Sequence, residues 1–156
     1  DKTSLVKGKG RPFFVQIINP KKRKIRLAKK INLGEINLYG VKQISSIPKA
    51  PLKFRSKIEL VIQTKEKLLS KDLKKLSELK NSQIAIYEDS KRIEKSIYSI
   101  KYSKINPKSF NLLLEADGGV PIKKFVDGET VFPNLSDLLE KKCVCKEFDF
   151  HDVAIQ

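Results

Sequence analysis

The chain has 156 residues, of which 40% are hydrophobic, so it has the length of one domain and is too apolar for a disordered tail. Its 33 Lys and Arg residues outnumber the 18 Asp and Glu residues and give a net charge of +15. This surplus predicts an acidic partner, with nucleic acid favoured over an anionic membrane surface. No apolar run is as long as a transmembrane helix and the first residues do not form a signal peptide, so we expect a soluble, cytoplasmic protein with no membrane partner.

The first third of the chain carries few signals of regular structure. Residues 1–11 are polar and Gly-rich and predict a loop, and the apolar run 12–18 predicts a strand that ends at an Asn-Pro pair. Residues 31–52 are divided by glycines and prolines, which predicts an irregular connection that holds one or two short strands.

Residues 53–81 predict a strand followed by a helix. Apolar residues alternate with polar ones between 53 and 64, which is the pattern of a half-buried strand. Four leucines then recur at helical spacing, and this predicts a helix over 70–81 with Ser70 as its N-cap and Asn81 at its end.

The remaining sequence predicts further strands and two short helices. The segment 91–105 is ambiguous by its pattern, but it fits a strand that turns back at Asn106 and Pro107. Strands are predicted at 83–89, 91–105, 109–119 and 143–153, and helices at 121–126 and from a cap at Asn134 to near Lys142. This order predicts an α+β domain with a mixed, largely antiparallel sheet flanked by helices.

Two stretches of basic residues are candidates for phosphate contacts. The first is the tract that contains Lys21, Lys22, Arg23, Lys24 and Arg26. Each phosphate that such a tract neutralises adds affinity that salt removes, whereas the alternative is a solvated charged loop. The second is the segment 8–11, in which a Gly-x-Gly turn precedes Arg11; the alternative there is an ordinary entry into a strand with an exposed Arg.

The stretch 118–128 sets a lysine in an apolar setting. Gly118 and Gly119 allow a sharp turn after a strand, and Ile122 and Lys123 then open the next helix. A lysine at a helix N-terminus opposes the helix dipole, which is tolerable if an anion binds there.

The cysteines and the histidine give little indication of chemistry. Cys143 and Cys145 are two ligands where a structural zinc site needs four, so they are expected to be small buried apolar side chains on one face of a strand. His151 is the only histidine, and nothing near it in sequence supports a metal or a catalytic triad.

Three stretches, at 10–20, 110–128 and 132–150, together resemble the C-terminal part of the archaeal and eukaryotic tRNA pseudouridine synthases of the Pus10 family. Members carry Gly-Arg-Pro-Phe before a strand, then Tyr-Ile-Lys-Glu-Phe, then Pro-Asn-x-x-x-Leu and a final strand. The resemblance implies a pseudouridine-synthase-like fold over 1–156, as the C-terminal part of a catalytic domain. It implies a cofactor-free, metal-free isomerase acting on uridines in the TΨC loop of tRNA, at positions fifty-four and fifty-five.

The resemblance also implies roles for individual residues. The family's catalytic aspartate lies nine residues before the Gly of Gly-Arg-Pro-Phe; that Gly is Gly10, so the position falls on Asp1. Ile58, Ile122 and Lys123 would line the base pocket. The RNA-binding residues would be Arg11, Lys21, Lys22, Arg23, Lys24, Arg26, Lys91, Arg92 and Lys124.

Several positions depart from the family pattern. Thr3 replaces a second aspartate, Ile58 falls where a tyrosine is thought to pack on the target base, Pro121 replaces another tyrosine, and Lys124 replaces a glutamate. These departures favour the alternative of a non-catalytic, basic RNA-binding protein that keeps the fold. A third possibility is a basic ribosome-associated or membrane-surface protein unrelated to modification; the membrane version is disfavoured because no amphipathic helix pairs a basic face with a large apolar one.

The chain begins with Asp rather than Met, so we expect either a processed chain or part of a longer one. The family has a long N-terminal RNA-binding region, which a missing segment or a partner chain would supply here.

Overall fold

The computed structural model describes residues 4–48 and 51–156. The chain divides into two compact units, one formed by Asp1–Pro12 with Leu52–Gln156 and the other by Phe13–Pro51. Among the described residues, no helix has the length and apolar character needed to cross a membrane.

The elements follow one another in an order typical of an α+β fold. They are β1 (Lys30–Asn32), β2 (Asn37–Tyr39), β3 (Phe54–Thr64), α1 (Ser70–Lys75) with a 3-10 helix (Leu76–Leu79), β4 (Ser82–Glu88), β5 (Lys91–Asn106), β6 (Ser109–Asp117), α2 (Ile122–Asp127), β7 (Val131–Phe132), α3 (Leu135–Leu139) and β8 (Cys143–Ile155).

A six-stranded sheet in the order β7-β4-β5-β6-β3-β8 forms the larger unit, and each of its pairings is antiparallel. Alternate side chains of β3 and β6 face one side, so that Leu60 and Leu112 are paired across the strands and fully buried. The core joins this face to apolar residues of the helices, among them Leu76, Phe125 and Leu135. The predicted fold class, an α+β domain with a largely antiparallel sheet, is confirmed.

The helix predicted at 70–81 is present, but its cap and its length differ from the prediction. The N-cap is Leu69, not Ser70, and its N–H donates to the Asp72 carboxylate at 2.9 Å. The α-helix ends at Lys75 and a 3-10 turn continues to Leu79, after which Asn81 takes a left-handed φ of 55°. The leucine periodicity thus predicted the buried face correctly at Leu73, Leu76 and Leu79, whereas the fourth leucine, Leu69, is exposed. The capping interaction depended on which polar side chain folds back.

One other predicted boundary is wrong. The helix capped by Asn134 ends at Leu139 and not near Lys142, because Glu140 adopts a left-handed φ of 52° and its N–H bonds back to Asp137 and Ser136. The capping itself is confirmed, since the Asn134 side chain accepts a hydrogen bond from the Asp137 N–H at 2.9 Å. The ambiguous segment 91–105 is a strand, β5.

The smaller unit contains the two-stranded antiparallel sheet β1-β2, in agreement with the short strands expected in 31–52. The strand predicted at 12–18 is wrong: these residues form no strand, and Val15, Ile17 and Ile18 are exposed. Strand propensity reflects the fit of a side chain to a paired, half-buried surface, and no neighbouring strand pairs with this segment.

We expect the alternation along β6 to govern the response to truncation. Leu112→Ala removes a fully buried side chain and should lower the free energy of unfolding by about 2–5 kcal/mol. Leu113→Ala, the matched control on the opposite face at 38% exposure, should cost about 0.5 kcal/mol. Urea unfolding would test this, and equal costs for the two variants would contradict the observed packing.

Candidate functional site

The segment before Arg11 lies along β8 through backbone hydrogen bonds. The Lys7 N–H donates to the Phe150 carbonyl at 2.7 Å, and the Phe150 N–H donates to the Leu5 carbonyl at 2.9 Å. Val6 and Phe150 form the parallel bridge between them. These bonds fix the start of the described chain against the last strand, although the two lie more than 140 residues apart in sequence.

A carboxylate at the same position reinforces this pairing. Asp149 accepts a hydrogen bond from the Leu5 N–H at 2.9 Å and forms an ion pair with Lys7 at 2.7 Å. The hydrogen bond from Lys7 and the one from Leu5 hold the pKa of Asp149 below its ordinary value. The same hydrogen bond to Asp149 raises the pKa of Lys7. The pair is therefore ionised on both sides at neutral pH.

Two glycines allow backbone segments to approach closely around this region. Gly8 has a φ of +69°, and a Cβ there would meet the carbonyl oxygen of His151. Gly118 donates its N–H to the Phe54 carbonyl at 2.6 Å, and a Cβ on it would lie only 2.7 Å from the Phe54 Cβ. Glycine is therefore required at both positions, because a Cβ at Gly8 would collide with β8 and a Cβ at Gly118 would collide with β3.

Two cavities adjoin at this junction. The larger, of about 610 Å³, is lined by residues of the N-terminal segment, of the turn after β6, of α2 and of β8: Ser4, Val6, Arg11, Val120, Pro121, Ile122, Phe148 and Phe150. The smaller, of about 270 Å³, is lined by Arg11, Phe54, Ser56, Ile58, Asp117, Gly118, Gly119, Val120, Phe150 and Val153. Arg11, Val120 and Phe150 belong to both. The three stretches singled out in the sequence therefore meet in one cleft.

The predicted base-pocket residues are distributed over this cleft. Ile58 lines the smaller cavity, and Ile122, which is 4% exposed, lines the larger one. Lys123 is exposed in the first turn of α2. Burial raises the pKa of Cys145 to about 11, and the nearby charge of Lys123 opposes that shift. Lys123 is therefore near Cys145 of β8.

Arg11 supplies a cationic group to both cavities. Its guanidinium carbon lies 5.5 Å from the centroid of the Phe150 ring, which is cation–π geometry. Within the described part of the chain it has no carboxylate partner. It remains available to an anion from outside the chain.

The other predicted RNA-binding residues of the larger unit lie on β5 and α2; Lys91 and Arg92 are exposed, and Lys124 is partly buried. Lys91 and Arg92 begin β5, and Arg92 pairs with Glu94 at 2.8 Å. Lys124 lies 4.0 Å from Glu88. Exposed pairs of this kind contribute little to stability, so these cations can exchange an acidic side chain for a phosphate at small cost.

The basic tract belongs to the smaller unit, and all five of its predicted residues, Lys21, Lys22, Arg23, Lys24 and Arg26, are exposed. That unit holds nine of the 33 Lys and Arg residues and one of the 18 acidic residues. Lys22 and Arg23 border a cavity of about 730 Å³ that is otherwise mainly apolar.

The remaining residues that the sequence singled out are Asp1, Thr3, the two cysteines and His151. Asp1 and Thr3 lie outside the described residues. Cys143 is fully buried, as expected, and burial raises its pKa to about 11, while Cys145 is only partly buried. His151 pairs with Glu59 at 2.7 Å across the sheet.

Sequence reasoning missed the polar cluster beside the smaller cavity. Asp117 accepts hydrogen bonds from the Tyr98 hydroxyl at 2.7 Å and from the Ser96 N–H at 2.8 Å, and the Arg55 guanidinium lies 3.8 Å from the Tyr98 ring centroid. The only available signal was an Asp at the end of a strand just before a glycine pair. Phe54 gave no signal, because the register of β3 against β6 decides that it meets Gly118.

Comparison with known proteins places the chain in a family. Residues 1–154 match the family described as Pus10, C-terminal. The chain is 49% identical to the tRNA pseudouridine synthase Pus10 of Nitrosopumilus maritimus over all of its length and 41% of that protein's. It is 43% identical to the tRNA pseudouridine synthase Pus10 of Cenarchaeum symbiosum, again over its full length and 39% of that protein's. The chain thus spans about two fifths of the length of these relatives.

A solved structure shares the fold. The crystal structure of a Cbf5-Nop10-Gar1 complex superposes with a TM-score of 0.54 at 10% identity, over 64% of this chain and 30% of the matched chain. At this identity the likeness concerns the arrangement of strands and helices alone.

The Lys7–Asp149 ion pair gives a testable prediction about the N-terminal segment. The pKa of Asp149 is lowered in the fold, so its contribution is present at neutral pH and is lost as the pH falls through that lowered value. Asp149→Asn should therefore reduce the hydrogen-exchange protection of the Lys7 amide at neutral pH, and acidification should do the same to the unchanged protein.

The matched control is Asp152→Asn, a carboxylate on the same strand. It should leave the protection factor of the Lys7 amide unchanged. If Asp149→Asn also leaves that protection unchanged, the ion pair does not hold the segment on β8.

Proposed function

The chain belongs to the Pus10 C-terminal family, and we propose that it carries the catalytic part of an enzyme that isomerises uridine to pseudouridine in tRNA. The observation that carries the proposal is the cavity of about 610 Å³, where Ser4, Arg11 and Ile122 meet. Residues from three separate stretches of the sequence surround one hollow large enough for a nucleoside. Relatives across the full length of the chain are named tRNA pseudouridine synthases, which supports the same reaction here.

The catalytic group in this proposal is the Asp1 carboxylate. Three peptide units separate it from Ser4, which lines the cavity, and such a stretch covers at most about 11 Å. The carboxylate either attacks the uracil or takes a proton from the ribose, and the bond between N1 of uracil and C1′ of the ribose breaks with its electron pair left on the uracil. The uracil rotates and C5 bonds to C1′. The carboxylate then leaves the uracil, or the proton returns to the ribose; the C5 proton leaves and N1 is protonated. Substrate and product contain the same atoms, so the reaction consumes no cofactor.

The walls of the larger cavity suit a uracil that has left its stack. Ile122 and Phe148 present apolar surface to the ring, and Phe150 adds an aromatic face. Lys123, in the next position of α2, supplies positive charge beside the pocket. An extruded base has lost its stacking and pairing, and contacts to the base and to the flanking phosphates must offset that cost.

The phosphate contacts come from the predicted basic residues. Arg11 supplies a guanidinium without a carboxylate partner in the described chain, directly at the cleft. The tract 21–26 supplies five exposed cations in a unit with one acidic residue. We propose a stem-loop of tRNA as the bound element, with the target uridine in the TΨC loop at position fifty-four or fifty-five.

The relatives are about two and a half times as long as this chain, so their remaining length provides room for a further RNA-binding region. In the proposed enzyme, that region or a partner chain contributes to the grip on tRNA. The 156-residue chain supplies the reaction cleft.

One observation favours a second candidate function. Pro121, which takes the place of a family tyrosine, lines the larger cavity, and it offers neither an aromatic face nor a hydroxyl. A protein that keeps the cationic surface but lacks that ring would bind RNA without isomerising it. Turnover separates this binding protein from the proposed enzyme.

Removal of the proposed catalytic carboxylate should abolish turnover and spare binding. Asp1→Asn should lower the release of tritium from a tRNA transcript labelled at C5 of uridine by at least about 10³-fold. The affinity for the same tRNA should stay within about twofold, because the carboxylate contributes nothing to phosphate contacts.

Glu129→Gln, an exposed carboxylate near the end of α2, is the control and should release tritium at the unchanged rate. Unaltered release by Asp1→Asn would show that another group is catalytic. No release by the unchanged protein, with tRNA binding intact, would favour the second candidate.

The basic tract should govern the salt dependence of tRNA binding. Replacing Lys22, Arg23 and Lys24 by Ala should lower the slope of log affinity against log salt by about 2–3, since each phosphate contact contributes roughly 0.9. The control replaces Lys71, Lys74 and Lys80, three exposed lysines of the helical region, and changes the net charge equally. Equal effects of the two triple variants would show that net charge, not the tract, determines binding.

A further inference from the structure

The end of the large sheet that lies opposite the cleft gathers basic residues from three separate segments. The cleft is at the start of β3, where Phe54 lines the smaller cavity, whereas Thr64 ends the same strand. At about 3.3 Å per residue, this 11-residue strand spans roughly 33 Å. A ligand bound near Thr64 is therefore well outside both cavities of the cleft.

Backbone hydrogen bonds hold the loop after β3 against two other segments. The Thr64 N–H donates to the Lys108 carbonyl at 2.8 Å, in the turn between β5 and β6. The Lys65 N–H donates to the Lys142 carbonyl at 3.3 Å, just before β8 begins. Three lysines that are distant in sequence are therefore brought to one junction by main-chain contacts.

A side chain strengthens the same junction. The Lys104 ammonium donates a hydrogen bond to the Leu68 carbonyl at 2.7 Å, and the Leu68 N–H donates to the Pro107 carbonyl at 2.7 Å. The loop after β3 thus contacts both β5 and the turn that follows it. The exposed lysines of the junction, which we call the distal lysine cluster, are Lys65, Lys67, Lys104, Lys108 and Lys142.

The charge of the distal lysine cluster is not offset by ion pairs. Within residues 4–48 and 51–156, none of its five lysines pairs with a carboxylate, whereas Lys75 pairs with Glu140 and Lys141 with Asp72. Glu66 is the one acidic residue of the loop 64–68. Like charges held at one junction repel one another, and a bound polyanion relieves that repulsion.

We propose that the distal lysine cluster binds the phosphate backbone of the RNA helix that carries the target loop. Lysine binds phosphate as a point charge and does not read a base, so these contacts position the RNA without regard to its sequence. At about 3.4 Å per step of a duplex, 33 Å corresponds to roughly ten base pairs between the cleft and the cluster. The proposal rests on the proposed function and deepens it, because it means that the protein favours a loop on a long stem.

The test is a cycle between stem length and protein variant. Two hairpins carry the same loop, one on a stem of about five base pairs and one on a stem of about fifteen, and the unchanged protein should bind the long one at least about tenfold more tightly. Replacing Lys65, Lys108 and Lys142 by Ala should remove most of that gain and leave the affinity for the short hairpin within about twofold. Lys104 is kept, because its ammonium also bonds to the loop.

The matched control replaces Lys71, Lys74 and Lys80 by Ala, which changes the net charge equally. These exposed lysines belong to the helical region, outside the junction, and the control should keep the tighter binding of the long hairpin. An equal loss in the two triple variants would overturn the cluster as an RNA contact. So would an unchanged protein that binds both hairpins equally well.

Two further measurements distinguish the causes of failure. Binding to phosphatidylserine vesicles that the cluster variant loses, without any gain from the longer RNA stem, would overturn the proposal in favour of a membrane surface. Tritium release from C5-labelled uridine, with the same stem-length gain in every variant, would overturn the cluster and leave the isomerase standing. A gain that depends on the cluster, without tritium release, would support the cluster and overturn the isomerase.

Discussion

The pairing of residues 5–7 with Phe150 is the interaction on which the cleft depends. Two backbone hydrogen bonds and the Lys7–Asp149 ion pair hold residues 5–7 against β8. Without these interactions, Arg11 would not be held beside the turn after β6. Both cavities would then lose the wall that the N-terminal segment forms. The close approach at Gly8 is part of the same arrangement, because a side chain there would push the segment away from His151.

Charge is distributed in keeping with a polyanionic partner. In the larger unit many cations have acidic neighbours, such as Arg55 with Glu115 and Lys75 with Glu140. The two opposite charges in each pair offset each other. The smaller unit has nine basic residues and one acidic residue, so its charge is not balanced internally. Its repulsion within the unit is relieved when a phosphate backbone binds, which is the electrostatic basis of salt-sensitive RNA binding.

The two cavities of the cleft differ in the groups that line them. The larger cavity is mainly apolar, which suits a ring that has left water and its stack. The smaller one is lined by a carboxylate and a serine as well as by aromatic rings. Membership in the Pus10 C-terminal family fits this combination.

The sequence by itself determined the fold class, the buried face of β3, and the three stretches that form the cleft, because alternation and motif spacing are local properties of the chain. It failed at residues 12–18, where the strand pattern had no partner strand, and at Ser70, where Asp72 supplies the capping bond instead. Only the tertiary structure decided that Phe54, Ser56 and Asp117 share a cavity, since that follows from cross-strand register. The register between β3 and β6 depends on packing between strands that are distant in sequence, so it had to be read from the structure.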